Sequence, residues 1–170
     1  MKQLTLLNPE KSSESEVTTY GTREAVRAVV IDDQNHVALL HVANEQYYKI
    51  PGGGIEGNEN HELALQRESL EEIGSEVEVI GEIGSIVEWR KFCKLKQTSY
   101  CYFAKLRGEK GKPHFTEKEL SQGFEQIWLP YEEALEVISN NSATTIEGKQ
   151  YIVPRDIIFL EAARELVTSQ

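Results

Sequence analysis

Three consecutive glycines, Gly52–Gly54, stand directly ahead of a helical stretch that concentrates acid. Between Pro51 and Trp89 there are ten glutamates (56, 59, 62, 68, 71, 72, 76, 78, 82 and 88), and Arg67 is the one cation among them. A solvated helix face ordinarily mixes Glu with Lys, because opposite charges at i,i+4 help and like charges hurt. Residues 59–73 contain neither Pro nor Gly, and Gly74 stands where a helix would stop. Leu63, Leu70 and Ile73 recur at helical intervals and predict the apolar stripe. On such a helix Glu68, Glu71 and Glu72 fall at i, i+3 and i+4, sharing one arc at roughly 100° per residue. Each like-charge neighbour costs a few tenths of a kcal/mol, roughly. A divalent cation would turn that repulsion into coordination, since hard cations take oxygen ligands and keep positions for water and phosphate.

The loop before the helix has a different task. Gly52–Gly54 let the backbone approach a ligand closely. Pro51 biases Ile50 towards extended geometry, so a strand should end there. No P-loop lysine follows and there is no GxGxxG, so a phosphate would be held through metal rather than cradled by the loop. Glu59 and Arg67, eight apart, return to nearly one face and make an orienting pair.

These residues carry a resemblance. Gly53, Glu59 and the run Arg67-Glu68-Ser69-Leu70-Glu71-Glu72-Ile73-Gly74-Ser75 resemble the Nudix box, G-x5-E-x7-R-E-U-x-E-E-x-G-U. Every charged and glycine position matches. Ser69 and Ser75 depart from the aliphatic residues usual at the U sites, which serve helix packing. The resemblance implies an α/β/α sandwich with a mixed β-sheet. It implies hydrolysis of a nucleoside diphosphate linked to another group, with Mg²⁺ (Mn²⁺ as a substitute) held by Glu68, Glu71, Glu72 and the Gly52 carbonyl. Glu59 and Arg67 would orient loop and helix. The general base would be Glu71, Glu72 or a downstream glutamate, Glu117 or Glu119, with Glu125 a second choice beside them. Strands before the box line the base pocket in this family, making Arg23, Arg27 and Tyr48 candidates for nucleotide contact.

The remaining chain fits one domain over residues 23–170 behind an arm, residues 1–22. Leu4, Leu6 and Leu7 make that arm a candidate edge strand or homodimer contact. The segments 25–31 and 37–42 read as a hairpin of buried strands around Asp32–Asn35. Residues 76–80 and 81–89 read as two half-exposed strands, with Trp89 a candidate for stacking on a base. Strands at 97–106 and 124–129, helices from Pro130 and Arg155 and a polar loop over Ser142–Gln150 complete the pattern. A net charge of −10 argues against a nucleic-acid surface but not against a metal-chelated nucleotide. No apolar run is long enough for a membrane span. Cys93 and Cys101 read as free thiols of a cytoplasmic protein. The four histidines show no metal-ligand spacing and are assigned no role.

The substrate is reached only by elimination. The ADP-ribose type of the family tends to carry a proline about sixteen residues past the box, and none lies between Pro51 and Pro113. The marks of the diadenosine polyphosphate and coenzyme A types are missing as well. A (deoxy)nucleoside triphosphate, such as an oxidised one, is the expectation. ADP-ribose or a nucleotide sugar is the alternative, and so is a nucleotide-sensing module that does not cleave.

Overall fold

The computed structural model describes residues 1–170. In chain order the elements are β1 (Gln3–Leu7), α1 (Glu14–Val17), β2 (Gly21–Ile31), β3 (His36–Val42), β4 (Tyr47–Lys49) and α2 (His61–Ile73). Then follow β5 (Val77–Arg90), β6 (Leu95–Leu106), α3 (Glu117–Ser121), β7 (Phe124–Pro130), α4 (Tyr131–Ser139) and α5 (Val153–Thr168). A π-turn over Gly148–Ile152 leads into α5.

Seven strands form the sheet, in the order β1-β5-β6-β2-β3-β4, with β7 on β3. It is mixed: β1 runs parallel to β5 and β2 parallel to β6, while the other pairs are antiparallel. Successive side chains of β2 face opposite layers, as the pleat requires. Val26, Ala28 and Val30 pack with Ala64, Leu65 and Ile73 of α2. Val29 and Ile31 pack with Phe159, Leu160 and Ala163 of α5 and with Ala134 and Ile138 of α4. Helices therefore cover both faces, and each buried Val, Leu, Ile or Phe contributes about 1.5–3 kcal/mol of burial.

Four expectations are corrected by this arrangement. Strands β2 and β3 meet only at Ile31–Val37, beside their turn, and do not continue as a hairpin. The edge of β2 that a hairpin partner would use is taken by the glycine loop. Ala28 N–H donates to the Pro51 carbonyl at 3.1 Å and Val26 N–H to the Gly53 carbonyl at 2.9 Å. Strand β3 diverges to pair with β7 along its whole length. Second, residues 77–90 form one strand, bent by register shifts at Val79/Gly81 and Glu82/Gly84 rather than broken. Third, Ser142–Gln150 is not all loop, since the π-turn begins at Gly148.

Fourth, the apolar stripe of α2 lies on a different face. Leu63 and Leu70 are 58% and 45% exposed, while Ala64, Leu65, Glu68, Ser69, Glu72 and Ile73 are buried. The inward face carries two carboxylates among small residues, which lets the helix sit close to the glycine loop. Ser69 and Ser75 are both buried. The Ser75 hydroxyl donates to the Glu109 carbonyl at 3.2 Å and accepts from Gly111 N–H at 2.8 Å. A serine at that site thus ties the 107–112 loop to the end of α2. Asn60 caps the start, accepting from Leu63 N–H at 2.8 Å. Gly74 closes the helix at φ 65°, and Gln126 donates to the Ile73 carbonyl at 2.9 Å.

The N-terminal arm is an ordered sheet edge: β1 pairs with β5, and Ser85 N–H donates to the Lys2 carbonyl at 2.8 Å. Cys93 and Cys101 are free, the first exposed and the second buried.

Candidate active site

The gap between β2 and β3, filled at one end by the glycine loop, leaves a cleft of about 460 Å³. Its acidic side is α2 and its loop, with Gly52–Gly54, Glu68, Glu71 and Glu72. Its cationic residues are Arg23 and Arg27 of β2, Lys49 of β4, Arg67 of α2, Lys118 of α3 and Arg155 of α5. Tyr47, Phe124 and Ile152 supply apolar wall.

Helix geometry and the loop converge on Glu68 and Glu72. Glu72 is 1% exposed. It accepts from Gly52 N–H at 2.6 Å and from the Lys49 ammonium at 2.8 Å. Burial pushes its pKa above the ordinary carboxylate value, neighbouring Glu68 adds to the rise, and Lys49 and the Gly52 amide oppose it. Glu68, buried beside it, accepts from Arg67 at 2.8 Å. Glu71 is more exposed, and its carboxylate stands 3.6 Å from Arg67.

Arg67 organises this end of the cleft. It grips both oxygens of Glu59, each at 2.9 Å, and donates to the Gly54 carbonyl at 2.8 Å. One guanidinium therefore joins the loop, Glu59 and the first carboxylate of the cluster. Those hydrogen bonds hold Glu59 down to a pKa of about 2.

The glycines are required by space. Gly52 has φ 127°, and a Cβ there would run into the Val26 carbonyl. At Gly53 a Cβ would collide with the Glu68 carboxylate. The Pro51 and Gly53 carbonyls accept from β2, while the Gly52 carbonyl between them has no donor in the chain.

The donor set is all oxygen: three carboxylates and the undonated Gly52 carbonyl. That chemistry fits Mg²⁺ or Mn²⁺ rather than a soft metal. In this structure the three carboxylates are not drawn to one point; Arg67 and Lys49 take the places of a cation beside them. A buried carboxylate with its pKa raised beside a second carboxylate is a group that gains from a cation.

The other expected residues sort by strand parity. Arg27 lines the cleft, but Tyr48 does not: it stacks on His41 at 4.5 Å, and its neighbours Tyr47 and Lys49 face inward. Trp89 also stands outside the cleft, on the face opposite Glu88 and Arg90. Glu119 reaches the rim, but its carboxylate caps α3, accepting from the Thr116 amide and hydroxyl at 2.8 Å each. Glu117 is exposed on α3, and Glu125 pairs with His41 at 3.5 Å outside the cleft.

Sequence reasoning missed Lys49, Tyr47, Phe124 and Arg155. Lys49 and Tyr47 alternate with Tyr48, so strand parity carried a signal but not its sign. Arg155 and Asp156 are both fully buried at the start of α5. Two charges opening an apolar helix were the available sign. Arg155 donates from Nε to Asp156 at 2.7 Å, and Asp156 accepts from Ile50 N–H at 3.0 Å. Behind them Glu88, fully buried, takes Arg90, Gln97 and Ser99 as donors. Gln97 in turn accepts from Arg23 at 3.1 Å.

Comparisons with known proteins agree with this architecture. A family model described as NUDIX domain matches residues 21–149. An RNA pyrophosphohydrolase of Halorhodospira halophila is 32% identical over 76 residues, which are 45% of this chain and 42% of that protein. The chain thus spans less than half of that relative's length. Among solved structures, the E. coli ORF135 protein superposes with a TM-score of 0.62 at 22% identity, covering 90% of this chain and 96% of that one. A NUDIX hydrolase from Nitrosomonas europaea gives 0.63 at 16% identity, covering 85% and 89%. A MutT protein from Methanosarcina mazei Go1 gives 0.59 at 15%, covering 87% and 97%. These three likenesses show the fold. The family match runs from the first residue of β2 to the turn before α5, and the chain belongs to the NUDIX domain family.

Proposed function

We propose that this chain is a divalent-cation-dependent hydrolase of the diphosphate linkage in a nucleoside diphosphate joined to another group. The observation that carries the reading is the meeting, in one cleft, of three α2 carboxylates, the glycine loop and the cations Arg23, Arg27 and Lys49. Glu68, Glu71, Glu72 and the Gly52 carbonyl would hold the cation. Bound there, Mg²⁺ or Mn²⁺ supplies neutralisation of diphosphate charge and acidification of a water.

The chain's own groups do the rest. Lys49 and Arg23 are fixed cations for phosphate oxygens. Arg67 keeps the loop and Glu68 in register, a positioning role. Water adds across the linkage: a new P–O bond forms, the bridging P–O bond breaks, and one proton leaves the attacking water. Glu71, the cluster's carboxylate with the fewest protein donors, is placed to accept that proton. Glu72 is held by two donors, and the Glu119 carboxylate is taken up in capping α3. Tyr47, Phe124 and Ile152 offer the wall for a base or other apolar moiety.

A (deoxy)nucleoside triphosphate, such as an oxidised one, is the proposed substrate, with a nucleoside monophosphate as product. The relative named RNA pyrophosphohydrolase adds RNA with a 5′-triphosphate to the substrates worth assaying. The test is a Mg²⁺-dependent assay of nucleoside triphosphates, an oxidised guanine nucleotide, ADP-ribose, a nucleotide sugar and triphosphate-ended RNA. Glu71→Gln is expected to lower turnover of the cleaved compound by about 10²-fold or more. A protein that cleaves none of them with Mg²⁺ or Mn²⁺, yet binds a nucleotide by calorimetry, would instead be a sensing module.

A further inference from the structure

At the floor of the cleft two guanidinium groups carry buried donors that meet no acceptor. Arg27 is 6% exposed and its guanidinium makes no hydrogen bond within the chain; its Nε and Nη1 are buried without an acceptor. Arg155 is 0% exposed, and its Nη1 and Nη2 are likewise unmet. Its Nη1 stands 3.9 Å from Glu88, too far for a hydrogen bond. Both arginines line the cleft. The charged groups acting on Arg27 are Arg155, Asp156, Glu72 and Glu68. A buried N–H left without an acceptor costs about 1–3 kcal/mol, more when charged. Two adjacent guanidiniums with four such donors are therefore a costly element for stability alone.

The position of the pair adds direction. Gly52 separates Arg27 from Glu72: its N–H donates to Glu72, and a Cβ on it would also press on the Arg27 backbone. By the pleat, Arg27 shares the β2 face of Val29 and Ile31, the side that packs on α5, and Arg155 lies on α5 itself. A phosphate chain whose scissile linkage sits at α2 and which runs towards α5 delivers its next phosphoryl group to these donors. Three phosphoryl oxygens suit four donors in two separate forks better than a planar carboxylate does.

We infer that Arg27 and Arg155 form a buried receptor for a phosphoryl group beyond the linkage that is cleaved. The substrate class is then a diphosphate compound with one further phosphate, either the terminal phosphate of a triphosphate or a phosphomonoester on the attached group. This rests on the hydrolase reading for the direction of the chain, but the receptor itself can be tested without catalysis.

The first arm measures binding of inorganic phosphate in EDTA by calorimetry and thermal shift, with wild type, Arg27→Met and Arg27→Lys. Phosphate is expected to stabilise the wild type. Arg27→Met should weaken its binding at least about tenfold, the scale of one lost charge-assisted hydrogen bond. Arg27→Met should also melt no lower than the unliganded wild type, because it removes a buried charge without a partner. Arg27→Lys, which keeps charge but loses the fork, should fall between. No phosphate binding by the wild type overturns the receptor while leaving the hydrolase reading intact. An Arg27→Met variant that melts several degrees lower makes Arg27 structural and overturns it as well.

The second arm compares kcat/KM for substrate pairs differing by one phosphate: a nucleoside triphosphate against its diphosphate, and a nucleotide sugar with and without a sugar phosphate. The favoured pair names the source. An advantage of at least about tenfold in one pair, lost in Arg27→Met, supports the inference; equal rates in both pairs overturn it.

Discussion

One arginine sets the electrostatics of the glycine loop. Because Arg67 holds Glu59 at a pKa of about 2, the pair stabilises the fold above the ordinary glutamate value of 4.5. That contribution is lost as pH falls from there towards 2, where the folded carboxylate takes its proton. Carboxyl ¹³C titration should place Glu59 near 2 in the wild type and return it towards 4.5 in Arg67→Met. A Glu59 that titrates normally in both would contradict the pairing. Gly53 tests space rather than charge. Its backbone is not in the left-handed region, so Gly53→Ala should fold, while the added Cβ displaces the Glu68 carboxylate. Turnover should fall at least about tenfold, or about 1.4 kcal/mol in barrier, with little change in Tm. At this scale the acidic cluster was readable, because helical spacing alone puts three carboxylates on one arc. The unmet donors of Arg27 and Arg155 were not, because a sequence shows donors and never shows which acceptors are out of reach.

The helix that carries the glutamates illustrates how an element can be placed correctly and turned wrongly. The end and the carboxylate arc of α2 follow from Gly74 and the glutamate spacing, and its start falls within the Pro- and Gly-free stretch 59–73. Its buried face does not, because Leu63 and Leu70 are more apolar than Ala64 and Ser69 and dominate any periodicity. Close approach of the helix to the loop decides the matter: small residues and carboxylates go inside, and the two leucines are left in solvent. Leu70→Lys should therefore change unfolding free energy by no more than about 0.5 kcal/mol. Leu65→Ala, which empties a buried site under β2, should cost about 2–5 kcal/mol. Urea melts of the two variants check this, and equal losses would contradict the orientation of α2. Strand β4 teaches the same lesson on a period of two. Aromatic composition at 47–48 was legible, but which tyrosine faces the cleft depends on the pairing of β4 with β3.

Across the whole molecule, the site exists because a continuous hairpin does not. The glycine loop occupies the β2 edge, β3 turns away to β7, and the cleft is the space between. The sandwich was readable from alternating strand and helix patterns together with the box. The splay was not, because a loop serving as a strand partner leaves no periodicity of its own. The arm at residues 1–8 belongs to this scale too. Its removal would bare β5 from Ser85 to Glu88, an unpaired edge. The truncated chain should melt several degrees lower and self-associate further on size-exclusion chromatography, whereas an unchanged melting temperature and elution volume would make β1 dispensable. The central claim is that the α2 carboxylates lining the cleft beside the glycine loop form a receptor for a hard divalent cation. Its most direct measurement is a Mn²⁺ titration followed by electron paramagnetic resonance on wild type, Glu68→Gln and Glu72→Gln, without nucleotide. The expected result is a saturable site in the wild type whose affinity falls at least about tenfold in each variant, about 1.4 kcal/mol or more. Mn²⁺ binding that is absent in the wild type, or unchanged in both variants, would contradict it.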